Sequence, residues 1–140
     1  MLFFLLKSFQ KMSTIIFGCV GALAILGNGH GLRMSFFRVA GSPGEADPNS
    51  SLNKFYLAQQ LTAEWNGTLL PLFLALQAAK ITDTAAVGTV VAITASRIAF
   101  GVKTTGVFPK AVVKPIGYVT MITTYLGTFY LGGRLIAHAL

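Results

Sequence analysis

Four long apolar segments, divided by short polar stretches, limit what this chain can fold into. They lie at about residues 13–32, 61–79, 84–102 and 115–136. About 20 mostly apolar residues are enough for a helix to cross the hydrocarbon core of a bilayer. The pattern therefore predicts an all-α integral membrane protein, a four-helix bundle that forms a single transmembrane domain over residues 1–140.

The composition agrees with a lipid environment. Of the 140 residues 54% are hydrophobic and 11% are charged, whereas a soluble domain is about one quarter charged. A soluble core of this size has too little interior to enclose so much apolar side chain. The net charge is +7, but the basic residues are scattered between apolar segments. Anionic lipid headgroups or an anionic ligand are therefore expected partners, and nucleic acid is not.

The basic residues also predict an orientation. The first and third connections and their flanks hold six of them, and the other side of the predicted bundle holds four. The two sets are Arg33, Arg38, Lys54, Lys103, Lys110 and Lys114, against Lys7, Lys11, Lys80 and Arg134. The positive-inside rule then places the first and third connections in the cytoplasm and both termini together on the opposite side.

The second segment carries the clearest functional signal. Residues 60–76 read QLTAEWNGTLLPLFLAL, so an acid and several polar side chains lead into an apolar helix. Ionisable groups at this depth are costly in lipid and usually face a protein interior or a site. Gln60, Glu64 and Thr68 follow one another at intervals of four and are expected to share one helix face.

Several polar residues are predicted to gather at the cytoplasmic face. Cations beside one carboxylate suit a small zwitterion with excess negative charge, because arginines grip carboxylates in forked pairs and the acid takes the amino group. The alternative is structural: Glu64 pairs with Arg97, and the remaining cations anchor helix ends at headgroups. The candidate site residues are Arg38, Gln60, Glu64, Asn66, Arg97, Lys114 and Tyr118.

Other polar residues give weaker signals. His30 and His138 are expected on opposite faces, which excludes a bis-histidine haem, and no metal-ligand cluster is evident. The Gly27-Asn-Gly-His-Gly run is expected to be flexible and able to kink the first helix. It lacks the strand–turn–helix context of a nucleotide site.

The layout resembles a known family. GLRMSFFRVAGSPGEADP (31–48) is similar to a basic helix end and polar loop, and AQQLTAEWNGTLLPLFLAL (58–76) to a polar signature leading into Pro-Leu-Phe. SRIAF (96–100) resembles the close of a third helix, and KPIGY (114–118) the start of a fourth. In this order the segments resemble the membrane-associated proteins in eicosanoid and glutathione metabolism (MAPEG), which include the microsomal glutathione transferases.

The resemblance implies a function. It implies a glutathione-dependent transferase or peroxidase of the endoplasmic reticulum or another organellar membrane, acting on lipophilic electrophiles. Glutathione would lie between subunits of a homotrimer, with Arg38, Arg97 and Lys114 on its carboxylates and Glu64 on its amino group. Gln60 and Asn66 belong to the same binding set. Lys114 or Tyr118 would stabilise the thiolate, which is the nucleophile.

The chain departs from the family at its signature. Counting back from Pro71, the family's arginine falls on Gln60, its asparagine on Glu64 and its glutamate on Gly67, and Lys114 stands where the family has arginine. Lysine keeps the charge but not the forked hydrogen bonding. Two other functions therefore stay open: a non-catalytic scaffold or accessory subunit of a larger membrane complex, and a small channel or transporter.

Overall fold

The structure, a computed structural model, describes residues 2–39, 50–104 and 108–140. These ranges contain four helices and no strand: α1 (Leu2–Val39), α2 (Ser51–Ala78), α3 (Thr84–Thr104) and α4 (Lys110–Ala139). The all-α prediction is thereby confirmed.

The helices run well beyond the apolar segments that predicted them. α1 has 38 residues, and α2 begins about ten residues earlier than its apolar segment. The hydroxyl of Ser50 accepts a hydrogen bond from the backbone N–H of Asn53 at 3.1 Å. A serine in this position satisfies a backbone donor that the first helical turn leaves free. α2 can therefore start at a polar residue that hydropathy does not detect.

Two helices contain segments long and apolar enough to cross a membrane, namely Gln10–Gly29 in α1 and Thr84–Thr104 in α3. α2 and α4 have 28 and 30 residues, which is also sufficient length. Their mean hydropathy is lower because α2 carries Glu64, Asn66 and Gln77, and α4 is rich in threonine, tyrosine and glycine.

The helices alternate in direction. Asn66 reaches Leu23 and Gln77 reaches Ser13 across α1 and α2, so residue numbers rise on one helix as they fall on the other. α1 packs on α2 and α3, and α4 packs on α3 and α2, while α1 and α4 do not touch within the described ranges. α2 and α3 therefore form the short diagonal of a four-helix bundle, and α1 begins at the end where α4 finishes.

The core is apolar and draws on all four helices. Phe73 and Leu76 of α2 are fully buried. They pack with Leu23 of α1, Ile93 of α3 and Leu131 of α4 in one continuous cluster. Large apolar side chains also cover the outside of α4, where Tyr118, Val119, Ile122, Leu126, Phe129 and Ile136 are each more than half exposed. An exposed apolar surface of this extent is typical of contact with lipid or another chain.

The end of the bundle near the α2–α3 turn is closed by Asp83. Its Oδ1 accepts the Ala86 N–H at 3.2 Å, which caps α3, and its Oδ2 lies 2.7 Å from Arg134 Nη2 of α4. The hydrogen bond from Ala86, aided by Arg134, lowers the pKa of the Asp83 carboxyl below its ordinary value. One side chain thus holds the start of α3 and the last turns of α4 together.

The charge of Asp83 is expected to make stability depend on pH. Because the folded pKa is depressed, the stabilisation is complete above about pH 4, the ordinary pKa of aspartate, and is lost as pH falls through the folded pKa. Asp83→Ala should lower stability by about 1 kcal/mol through the lost cap. Asp83→Asn, which still caps, should lose only the acid-sensitive part. Thermal unfolding in detergent between pH 3 and 7, in steps of about one pH unit, separates the two; equal acid sensitivity in wild type and Asp83→Asn would contradict the assignment.

The α2–α3 turn carries backbone strain. Lys80 has φ 57°; its N–H donates to Gln77 O, and the Ile81 N–H donates to Leu76 O. This is the hydrogen-bonding pattern that usually places glycine at the left-handed position. Ile81 and Leu76 are both buried, so the apolar contact typical of such a helix end is present as well.

Replacing Lys80 by glycine is expected to stabilise the bundle. A non-glycine residue in the left-handed region costs about 1–2 kcal/mol, part of which is offset by the greater freedom of glycine in the unfolded chain. Lys80→Gly should raise the unfolding temperature in detergent. Lys80→Ala is the control, since it removes the same side chain and keeps the strain; an equal gain from alanine would assign the effect to charge rather than to backbone.

A cationic pocket where α3 ends and α4 begins

A pocket of about 260 Å³ lies between the last turns of α3 and the first turns of α4. Both helices contribute to it at intervals of three or four residues, which sets the contributing side chains on one face of each helix. The lining residues are Phe100 and Lys103 of α3, and Lys114, Gly117, Tyr118 and Met121 of α4. The structure therefore brings together Lys114 and Tyr118, the two residues expected to act on a thiol.

Lys103 is held at this pocket by two neighbours. Its Nζ lies 4.6 Å from the centroid of the Phe100 ring, within the range of a cation–π contact. The same ammonium lies against Gly117, where an added Cβ would collide with it. Gly117 thus provides the space that lets the Lys103 side chain cross the α3–α4 seam.

The pocket is electropositive. Its lining includes two basic side chains, Lys103 and Lys114, and among the residues that the structure describes no acidic side chain lines it. Lys114 and Tyr118 are exposed, and within the described residues neither forms a hydrogen bond or salt bridge. Two ammonium groups and a phenol share the cavity with Phe100 and Met121, a combination that complements an anionic group attached to an apolar body.

Arg97 lies next to this pocket but is enclosed. Only 4% of the residue is exposed, and its Nη2 donates to the Leu61 carbonyl of α2 at 3.1 Å. Its guanidinium carbon lies 5.2 Å from the Trp65 ring centroid and 4.9 Å from that of Phe100. Trp65 in turn meets Tyr125 of α4 edge to face, with ring centroids 4.8 Å apart. Arg97 therefore ties three helices together through a carbonyl and aromatic rings.

The pairing of Glu64 with Arg97, expected from the structural alternative, does not occur in the described chain. The salt bridge that the described residues contain is the one between Arg134 and Asp83, at the opposite end of the bundle. Glu64 is exposed on the outer face of α2. Among the described residues Arg97 accordingly has no carboxylate partner, and with 4% of the residue exposed it does not face an open cleft.

The remaining predicted residues lie elsewhere. Gln60 and Glu64 share the exposed face of α2 with Thr68, as their spacing predicts. Asn66 points the other way and donates to the Leu23 carbonyl of α1 at 3.0 Å. The side chain of Arg38 lies outside the described residues. Lys114 and Tyr118 thus line the pocket, and Arg97 contacts Phe100, which also lines it.

Lys103 is the basic residue of the pocket that sequence reasoning missed, and Phe100, Gly117 and Met121 were not predicted there either. It entered the sequence analysis only as a charge in a loop, yet it belongs to the last turn of α3. A short connection between antiparallel helices sets the last turn of one beside the first turn of the next, which brings Lys103 towards Lys114. Loop length and residue position would have been sufficient to find it.

Comparison with known proteins identifies no relative of this chain. No family model matches this chain, and neither a curated protein nor a solved structure matches it significantly. Its function therefore has to be argued from the geometry of the pocket, from the physical chemistry of its lining and from the sequence resemblance.

Arg97 is expected to matter more for stability than for binding. Arg97→Ala removes a charged hydrogen bond to Leu61 and two ring contacts, and the loss of such a hydrogen bond alone costs about 1.5–3 kcal/mol. The expected result is a lower unfolding temperature in detergent. Ser96→Ala, one position away and partly buried, is the control. An unchanged unfolding temperature for Arg97→Ala would show that the bundle does not depend on the guanidinium.

Proposed function

We propose that this protein is a four-span, MAPEG-like integral membrane protein that binds glutathione at the α3–α4 pocket and conjugates it to lipophilic electrophiles. The observation that carries the proposal is the convergence of Lys103, Lys114 and Tyr118 on one cavity with an apolar floor. Glutathione offers two carboxylates for the ammonium groups and a thiol for the phenol. The apolar floor suits a second substrate that arrives from the bilayer.

Membrane insertion is supported by three properties of the chain. Two helices hold segments apolar enough to span a bilayer, all four are long enough, and the outer face of α4 exposes large apolar side chains. The excess of basic residues around the pocket end favours a cytoplasmic position for it. This position gives the pocket access to cytosolic glutathione in an endoplasmic reticulum or other organellar membrane.

The part of the protein in this reaction is to stabilise the thiolate of glutathione. Lys114 and the Tyr118 hydroxyl would stabilise the thiolate by charge and by hydrogen bonding, which favours release of the thiol proton to water. The sulfur would then form a bond to the electrophilic carbon. In a substitution the leaving group departs with the bonding electron pair, and in an addition the electron pair shifts to the neighbouring atom, which takes a proton.

The outer face of α2 favours an oligomer. Gln60 and Glu64 are exposed there, on a helix that continues into an apolar segment, and a carboxylate facing lipid is costly. A neighbouring copy would cover this face and bring Glu64 towards a ligand amino group. A homotrimer, as in the resembling family, satisfies this requirement.

A non-catalytic role is the second candidate. Arg97 is buried and contacts Leu61, Trp65 and Phe100 within the chain, so one cation of the expected ligand set is not exposed to a ligand. The exposed apolar face of α4 also offers a broad surface to another membrane protein. In this second candidate function the protein is an accessory subunit of a larger membrane complex, and the pocket lysines contact lipid headgroups.

Calorimetric titration of glutathione into the detergent-purified protein tests the first candidate. Replacing both Lys103 and Lys114 by alanine should weaken binding by at least about tenfold, since each removes a charge-assisted hydrogen bond. The control is Lys11→Ala, which replaces an exposed lysine near the start of α1, at the opposite end of the bundle from the pocket. It should have no effect on glutathione binding. Tyr118→Phe should retain affinity but lose the ultraviolet absorbance of bound thiolate.

The outcomes separate the two candidates. Binding that depends on the pocket lysines supports the transferase and justifies assays with electrophilic lipids. Absence of glutathione binding by the intact protein excludes the transferase function and favours the accessory-subunit function. The next measurement is then cross-linking of the α4 face to partner proteins in native membranes.

A further inference from the structure

The place of the Lys103 side chain in the cationic pocket depends on the glycine opposite it. A Cβ added at Gly117 would collide with the Lys103 Nζ, and it would lie 3.6 Å from Cε and 3.9 Å from Cδ of the same side chain. Among the described residues these three atoms are the nearest to such a Cβ. The missing side chain of Gly117 therefore makes room for Lys103 in particular.

The other neighbour of the Lys103 ammonium is the ring of Phe100. The Nζ lies 4.6 Å from the ring centroid, and the guanidinium carbon of the buried Arg97 lies 4.9 Å from the same centroid. A cation is attracted to the face of an aromatic ring. The Lys103 ammonium thus lies between α4 and a ring that is itself in contact with the packed interior.

The pocket receives its two ammonium groups from different helices. Lys103 comes from α3 and Lys114 from α4, and both line the cavity of about 260 Å³. A lysine ammonium is a compact point charge and lacks the forked donors with which arginine grips a carboxylate. The number of ammonium groups in the cavity therefore determines how many carboxylates of a ligand find a counter-charge there.

We propose that Gly117 is a positioning residue that makes the pocket selective for a ligand with two carboxylates. By lacking a side chain it keeps the Lys103 ammonium in the cavity beside Lys114, so that each ammonium neutralises one carboxylate. This inference rests on the proposed function, in which the ligand is glutathione, a dicarboxylate. Gly117 acts through Lys103 and need not touch the ligand itself.

The variant Gly117→Ala changes the pocket without disturbing the bundle. The atoms that an added Cβ displaces belong to the far end of a flexible side chain, which can turn away at little cost. Alanine is also favoured over glycine inside a helix by about 1 kcal/mol. The control is Gly133→Ala on the same helix, where nothing lies within 4 Å of an added Cβ. Neither variant should unfold at a lower temperature than the wild type.

Calorimetric titration with glutathione and with each of its two monoethyl esters tests the selectivity. Gly117→Ala should bind glutathione at least about tenfold more weakly than the wild type or Gly133→Ala, because one charge-assisted hydrogen bond is lost. The ester that lacks the carboxylate bound by Lys103 should bind equally to the wild type and to Gly117→Ala. The other ester should bind more weakly to Gly117→Ala than to the wild type. A general loss of structure would instead weaken the binding of all three ligands.

A double-mutant cycle shows whether Gly117 acts through Lys103. Lys103→Ala should weaken glutathione binding as Gly117→Ala does, and adding Gly117→Ala to it should have no further effect. A further loss in the double variant, or unchanged affinity in Gly117→Ala alone, would overturn this inference and leave glutathione binding in place. Absence of glutathione binding by the wild type would overturn the proposed function and, with it, the selection of two carboxylates.

A measurement without ligand tests the positioning by itself. In protein labelled with ¹³C at the lysine Cε, the Lys103 signal is the one that is lost in Lys103→Ala. Its ε-methylene protons should resonate upfield, because the ammonium lies over the Phe100 ring. This shift should disappear in Gly117→Ala and persist in Gly133→Ala. An unchanged signal in Gly117→Ala would show that alanine fits beside Lys103, and would overturn the inference whether or not glutathione binds.

Discussion

The guanidinium of Arg97 lies where three helices meet, and its burial determines how they are arranged. It belongs to α3, donates to the Leu61 carbonyl and faces the Trp65 ring of α2, which in turn meets Tyr125 of α4. A buried cation is tolerated only where its N–H groups and its charge have partners. α2 and α4 must therefore keep their places around α3. Phe100, which contacts Arg97, also contacts Lys103, so the same interaction positions one wall of the pocket.

Close approach of the helices is the second requirement. At Gly127 of α4 an added Cβ would lie 2.8 Å from the Ile93 side chain and 3.1 Å from Thr89 of α3. In lipid, helix association depends on packing and interhelical hydrogen bonds rather than on exclusion of water. A methyl group at this crossing would require the Ile93 or Thr89 side chain to shift, so Gly127 permits the close contact between α3 and α4.

The sequence was sufficient to predict the helices, and the spacing of Gln60, Glu64 and Thr68 was sufficient to predict that they share a face, because both follow from local periodicity. It did not predict which way Asn66 and Arg97 point. Their partners, the carbonyls of Leu23 and Leu61, are backbone groups, and every residue has a carbonyl. Rules for pairing side chains consider opposite charges, and they therefore indicated Glu64 as the salt-bridge partner of Arg97. A backbone acceptor on a neighbouring helix depends on the packing register, which apolar periodicity does not specify.

The two ends of the bundle differ in the interactions that hold them and in the side chains that line their seams. At one end the short α2–α3 turn and the Asp83–Arg134 contact hold α2, α3 and α4 together. At the other end the α1–α2 and α3–α4 seams carry lysines and carboxamides as well as apolar side chains. The α2–α3 end is thus held by defined hydrogen bonds and an ion pair, and the other end carries the cationic pocket.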